Sequence, residues 1–185
     1  MRATEVLSEE HRLVEAMLRV LEKAANALDR GRQVPPELLE KSLDFVRVFV
    51  DKCHHGKEEE LLFPSLEQRG ILREGGPIGI MLREHETGRS FVQATAEAFA
   101  AWSKGDAAKG PEIAGNLRGY IEVLRQHICK EDDVLFPIGN RVLDEAENAR
   151  LVEGFEEIER ERTGPGKHEE YHRLVHELEH MAQQL

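Results

Sequence analysis

The chain has 185 residues, the expected size of one domain, and 40% of them are hydrophobic, which is enough for an ordinary core. Its net charge of −11, with no run of Lys or Arg, argues against nucleic acid as a partner, because phosphate binding needs a basic face. No stretch approaches the roughly 20 apolar residues of a membrane span, and no signal peptide is evident. We therefore expect a cytoplasmic protein with no membrane partner.

Glycine and proline divide the chain into six segments. Breaks are predicted at residues 31–36, 70–79, 103–111, 137–140 and 164–166. Between these breaks apolar residues recur at three- and four-residue steps, which is typical of a helix, and no segment alternates as a strand does. The pattern predicts an all-α fold. Residues 1–140 would form an antiparallel up-down four-helix bundle with an internal two-fold repeat, and residues 141–185 a C-terminal helical extension packing on it.

One set of residues with metal-binding side chains occurs twice in the predicted bundle. The first copy contains Glu10-His11, His54-x-x-x-Glu58 and Leu62-Phe63-Pro64, and the second contains Glu84-His85, His127-x-x-x-Glu131 and Leu135-Phe136-Pro137. The strong pairs and the Leu-Phe-Pro motifs are related by an offset of 73, and the two Glu-His pairs by 74. This regularity indicates two copies of one structural unit.

The repeated residues lie on the apolar faces of their predicted helices. His54 and Glu58 share a face with Val50 and Leu62, and one turn separates them, so both side chains point into the core. Burying such groups without partners would cost several kcal/mol or more. A dinuclear metal centre removes that cost, with two carboxylates bridging ions about 3.5–4 Å apart. Imidazole and carboxylate accept iron, zinc, manganese or copper, so the ligand types leave the metal open.

A second register is possible, because His55-x-x-x-Glu59 has the same spacing as the pair before it. The repeat favours His54, since the offset of 73 carries His55 to Ile128 and Glu59 to Asp132. We therefore expect substitutions at His55 and Glu59 to be nearly silent.

The full motif set resembles the hemerythrin-like (HHE cation-binding) family over about residues 4–138. The resemblance implies two iron ions with an oxo or hydroxo bridge, a vacant position on one iron, and binding of dioxygen or a related small ligand. It assigns His11 and His54 to one iron and His85 and His127 to the other. Glu58 and Glu131 would bridge the two.

The chain departs from the animal oxygen carriers of this family at one position. Where they have a fifth histidine, one turn before His85, this chain has Met81. A thioether is a poor ligand for ferric iron. The interpretation is therefore a di-iron protein that binds or senses dioxygen. The alternatives are an oxidoreductase acting on peroxide or nitric oxide, iron handling, or iron–sulfur cluster repair, which is disfavoured because the cysteine-bearing N-terminal extension expected of such proteins is not seen.

Four histidines recur every four residues in the last segment, at His168, His172, His176 and His180. Such a run is ordinarily a solvated helix face. His168 and His172, however, share the side of the helix that carries Tyr171 and other apolar residues. We predict that one of these two histidines completes the metal centre or lines its ligand pocket.

Overall fold

The computed structural model describes every residue except Pro165, together with every helical side chain except that of His168. Within this part the protein is all-helical, with no strand, as predicted. The helices, including three π-helical stretches, are α1 (Ala3–Asp29), α2 (Pro36–Phe45), π1 (Val46–His55), π2 (Glu58–Leu62), α3 (Phe63–Gln68), α4 (Pro77–Trp102), α5 (Gly110–Lys130), π3 (Glu131–Leu135), α6 (Phe136–Val142), α7 (Glu145–Arg162) and α8 (Lys167–Ala182); a short 3₁₀ turn spans Ala107–Lys109. None of these described helices is both long and apolar enough to cross a membrane.

Residues 36–68 form one continuous helical rod, and so do residues 110–142. The backbone stays right-handed helical where α2, π1, π2 and α3 meet. Both rods widen immediately before their proline: the Phe63 N–H donates to the Glu58 carbonyl five residues back, and the Phe136 N–H donates to that of Glu131. An α-helix would clash with a proline ring at the preceding carbonyl, and the wider π turn relieves that clash.

The break predicted at residues 137–140 is therefore wrong. Helix α6 continues through Pro137 to Val142, and the chain turns at Leu143 and Asp144 instead. Asp144 determines that position, because its side chain accepts a hydrogen bond of 2.8 Å from the Glu147 backbone N–H and so caps the first turn of α7.

Two clusters of buried apolar side chains form the core. The large cluster contains Leu18, Phe49 and Leu124 among others, and the small cluster contains Leu7 and the two Leu-Phe-Pro phenylalanines. On α1 and on residues 36–68 the predicted His and Glu ligands fall between residues of the two clusters; on residues 110–142 they flank Ile128, the last residue there of the large cluster. The candidate ligand side chains therefore lie where the two apolar clusters meet.

The C-terminal extension packs on the other helices through both of its members. Helix α7 contacts α1, π1 and π2, and α8 contacts α1 and α2. Tyr171 of α8 packs against the rings of Phe45 and Phe49 in the large cluster. Phe155 of α7 is buried in the small cluster.

Candidate metal centre

The structure brings the six sequence-predicted ligands together in the core. Each is at most 2% exposed: His11, His54, Glu58, His85, His127 and Glu131. They come from α1, α4 and the two continuous rods. Burial on this scale is unusual for histidine and glutamate unless the groups are paired or coordinate a metal.

The candidate ligand atoms form two groups that share one glutamate. Site A consists of His11, His54, Glu58 and Glu131, and site B consists of His55, Glu58, His85 and His127. Within each group the ligand atoms lie within 4.8 Å of one another. The paired ring nitrogens are closer still: His11 Nε2 lies 3.1 Å from His54 Nε2, and His85 Nε2 lies 3.1 Å from His127 Nε2.

Both glutamates reach histidines of both groups. Glu58 Oε1 lies 3.4 Å from His54 Nε2, and its Oε2 lies 3.4 Å from His85 Nε2. Glu131 Oε2 lies 3.3 Å from the Nε2 atoms of His11 and His127. Each carboxylate thus stands between the two sites, as a bridging ligand would.

The donor set fits a pair of metal ions. All four carboxylate oxygens of Glu58 and Glu131 are buried without a hydrogen-bond partner in the described part of the chain. An unpaired buried carboxylate is costly, and nearly all buried polar atoms in proteins are satisfied. Metal ions bound between these oxygens and the imidazole nitrogens would satisfy them.

An outer carboxylate faces the Nδ1 atom of each predicted histidine ligand. The Nδ1 to oxygen distances are 2.8 to 3.2 Å, for His54 with Glu10, His11 with Asp132, and His127 with Glu84, and 2.7 Å for His85 with Glu59. When Nδ1 carries the proton and donates it, Nε2 keeps its lone pair for a metal. The four rings are therefore oriented with Nε2 inward.

The outer shell follows the same repeat as the ligands. An offset of 74 relates Glu10 to Glu84, and one of 73 relates Glu59 to Asp132. The sequence interpretation expected substitution of Glu59 to be nearly silent, whereas the structure places Glu59 Oε1 2.7 Å from His85 Nδ1. The sequence did indicate this role, because the repeat relates Glu59 to another acidic residue, Asp132, although it relates the neighbouring His55 to Ile128.

Ion pairing in the core perturbs the titration of the metal-free site. Burial opposes protonation of His11, but the hydrogen bond to Asp132 and the nearby carboxylate of Glu131 outweigh it and raise the pKa to about 9. Burial is likewise outweighed at His127, where the charge of Glu131 contributes most to raising the pKa to about 10. The raised pKa values favour the protonated form of both imidazoles at neutral pH, so a metal ion would have to displace a proton from each.

His55 belongs to site B, contrary to the sequence interpretation. It is 4% exposed, and its ring stacks on that of His85 with the centroids 3.8 Å apart. Neither ring nitrogen has a hydrogen bond in the described structure, although Nδ1 lies 3.5 Å from Asp51 Oδ1. Burial, with the neighbouring charge of His85, lowers its pKa well below the usual value, so the ring is neutral and available as a ligand.

A lysine extends the outer shell in each half of the repeat. Lys57 ion-pairs with Glu10 and lies 3.3 Å from Glu159 of α7, while Lys130, at an offset of 73, ion-pairs with Glu84. Lys57 is only 1% exposed, whereas the Lys130 side chain is 41% exposed. Burial would raise the pKa of Glu10, but the hydrogen bond from His54 and the charge of Lys57 lower it to about 2. Helix α7 of the C-terminal extension therefore covers Lys57 and Glu10 in one half of the repeat.

The C-terminal histidines whose side chains the structure describes do not lie at the centre. The His172 side chain is exposed on α8, and neither site includes it. The side chain of His168 lies outside the described part of the chain. Met81 is buried in the small apolar cluster. Of the histidines described, the additional one at the centre is His55.

Comparisons with known proteins agree with this site. The family model described as "Hemerythrin HHE cation binding domain" matches residues 2–138, so the chain belongs to that family and the resemblance seen in the sequence is confirmed. "Uncharacterized protein Rv1995" of Mycobacterium tuberculosis is 28% identical over 162 residues, covering 88% of this chain and 63% of that protein. "Iron-sulfur cluster repair protein YtfE" of Enterobacter sp. is 26% identical over 138 residues, covering 59% of each chain. The chain thus spans less than two thirds of the length of these relatives. No solved structure gives a significant match.

Proposed function

We propose that the protein holds two iron ions, with an oxo or hydroxo bridge, and binds or senses dioxygen or a related small ligand. Helix α1, residues 36–68, helix α4 and residues 110–142 would form an up-down-up-down bundle around the ions. The supporting observation is the pair of sites that share Glu58 and are spanned by Glu131. Membership of the hemerythrin family favours iron over the other metals that such ligands accept.

The two ions would have different ligand sets. His55 adds a third imidazole to site B, whereas site A has only His11 and His54. The repeat relates His55 to Ile128, a buried isoleucine that cannot bind metal. Site A would therefore keep a position for an external ligand.

The surroundings of site A favour a small ligand of low polarity. His11 stacks on Phe136 with ring centroids 5.5 Å apart, and Ile128 belongs to the large apolar cluster. Bound iron would supply the electrons and the open coordination position that hold dioxygen or nitric oxide. The protein's own contribution is to hold the imidazoles by their Nδ1 partners and to exclude bulk water.

The proposal is tested by placing a histidine where it would fill the open coordination position of site A. Ile128→His should leave about two irons per chain but abolish binding of dioxygen, azide and nitric oxide, as followed in the visible spectrum. Ile128→Leu is the matched control and should bind all three ligands. One tightly bound zinc and no iron, after expression in iron-replete medium, would overturn the proposal. So would unaltered ligand binding by Ile128→His.

Iron–sulfur cluster repair is a second candidate because of the similarity to the YtfE proteins. Peroxide or nitric oxide turnover at the same centre is the corresponding enzymatic alternative. Repair requires that iron leave the centre readily, whereas ligand binding requires that it stay. Transfer of labelled iron from the loaded protein to an apo iron–sulfur protein, at a rate matching recovery of that protein's activity, would support repair.

A further inference from the structure

A cavity of about 320 Å³ lies beside site B, between π1, α4 and α5. His55 forms part of its wall, so the cavity reaches site B, and no residue of site A lines it. Its volume lies at the lower end of small-molecule sites, which range from about 300 to 1,000 Å³. One water occupies about 30 Å³ in the liquid, so a diatomic molecule would leave most of this space empty.

Two buried polar side chains on the cavity wall lack hydrogen-bond partners in the described structure. They are Tyr120, which is 3% exposed, and His55. Buried hydroxyl groups are normally satisfied. Burial and the nearby charge of Asp51 raise the pKa of Tyr120, so the phenol keeps its proton. A ligand in the cavity would therefore meet a hydrogen-bond donor that the protein does not use.

The charged residues of the cavity favour an anion. Arg89 is committed to the protein, because its Nε donates to Asp51 Oδ1 at 2.7 Å and its other nitrogens to Glu59 and Glu86. Asp51 shares this guanidinium with Glu59 and Glu86, but two arginines and only this one acid line the cavity, so the charged residues of the lining carry a net positive charge. The exposed Arg47 also lines the cavity, and it makes no ion pair within the described part of the chain.

The remaining wall is aliphatic apart from Gln93, whose amide nitrogen donates to Glu97 Oε1 at 2.7 Å, and a glycine keeps the space open. Val46 and Val92 supply aliphatic surface. At Gly88 an added Cβ would lie 3.5 Å from Tyr120 Cε2, so a longer side chain would fill the space in front of the tyrosine ring. A ligand with a charged end and a short apolar body matches this shape.

We infer that this cavity binds a small organic carboxylate, whose oxygens accept the Tyr120 hydrogen bond and pair with Arg47 while its body lies against Val46 and Val92. Such a ligand would contact His55, so its binding would perturb site B and allow a metabolite to modulate the metal centre. This coupling rests on the proposed di-iron function, whereas carboxylate binding does not.

Isothermal titration calorimetry of the metal-loaded full chain tests the inference, with butyrate and benzoate as probes and benzamide as the neutral analogue. We expect both carboxylates to bind and benzamide to bind at least tenfold more weakly. Tyr120→Phe should weaken carboxylate binding by about tenfold or more, since a hydrogen bond to a charged group is lost. Tyr171→Phe, a buried tyrosine outside the cavity, is the matched control and should bind as the native chain does.

Two further variants separate the cavity from direct binding to metal. Gly88→Leu should block the cavity and Arg47→Gln should weaken binding, although neither residue is a metal ligand. Equal binding of benzoate and benzamide, or native affinity in Tyr120→Phe and Gly88→Leu, would overturn the inference. If the native chain holds no iron but these binding differences remain, the di-iron function fails and the carboxylate site stands. A spectral change of the iron centre on benzoate binding, lost in Gly88→Leu, would support the coupling.

Discussion

Replacement of His55 tests whether it is a metal ligand or a buried packing residue. His55→Ala removes one of three imidazoles from site B and leaves the two of site A in place. His55→Phe is the matched variant, because a phenyl ring keeps the stacking on His85 without a nitrogen donor. A packing role would be rescued by phenylalanine, and a ligand role would not.

The expected magnitude follows from the position of His55. Loss of an outer-shell partner weakens metal binding by about ten- to a hundredfold, and loss of a direct ligand should weaken it at least a hundredfold, or about 2.7 kcal/mol. The same amount should disappear from the metal-dependent part of the unfolding free energy. The packing loss in His55→Ala should be small, because the ring borders a cavity that water can enter.

The assay is an anaerobic ferrous titration against a chelator, with metal counts and urea unfolding on the same samples. We expect the native chain to hold two ions and both His55 variants to hold one tightly, at site A. His176→Ala, an exposed residue of α8, should behave as the native chain. If His55→Phe binds two ions with native affinity, His55 is not a ligand. The six ligands predicted from the repeat would then be the full set.

Three other predictions concern the shared ligand and its surroundings. Glu58→Ala should lose both ions, because the two oxygens of Glu58 face different sites, and retention of one full-affinity ion would contradict this. Lys57→Met should lower the urea-unfolding free energy by about 3 kcal/mol, the lower end for breaking a buried ion pair, because buried Glu10 keeps only its hydrogen bond from His54. Lys130 is half-exposed, so Lys130→Met should change the unfolding free energy by about 1 kcal/mol or less, and equal effects of the two substitutions would contradict the burial of Lys57 beneath α7. Metal uptake at pH 7 should release about two protons from His11 and His127, because their raised pKa values keep them charged without metal. The apparent metal affinity should therefore increase with pH up to about 10, the pKa of His127, and calorimetry in buffers of different ionisation enthalpy would refute this by showing no proton release.

The sequence by itself predicted the helical class, and it predicted six buried His and Glu residues that the structure brings together. Apolar residues at three- and four-residue steps fix the buried face of each helix, and His54 and Glu58 fall on that face because they are one turn apart. The repeat, with an offset of 73 or 74, relates each predicted ligand in the first half to one in the second, so the assignment rested on paired positions. The outer acids and lysines follow the same two offsets.

Only the tertiary structure decided which residue joins the centre without a counterpart in the repeat, namely His55. Neighbouring residues on an α-helix point about 100° apart, so His54 and His55 cannot be expected to serve one centre. The π-helical stretch that ends at His55 changes that angle, and packing against α4 brings its ring onto that of His85. Since the matching residue is Ile128, no periodic signal marked His55. The candidate role of His55 as a ligand depends on the contact of π1 with α4, which are separate segments of the chain. The same contact places three imidazoles in site B, whereas site A has two.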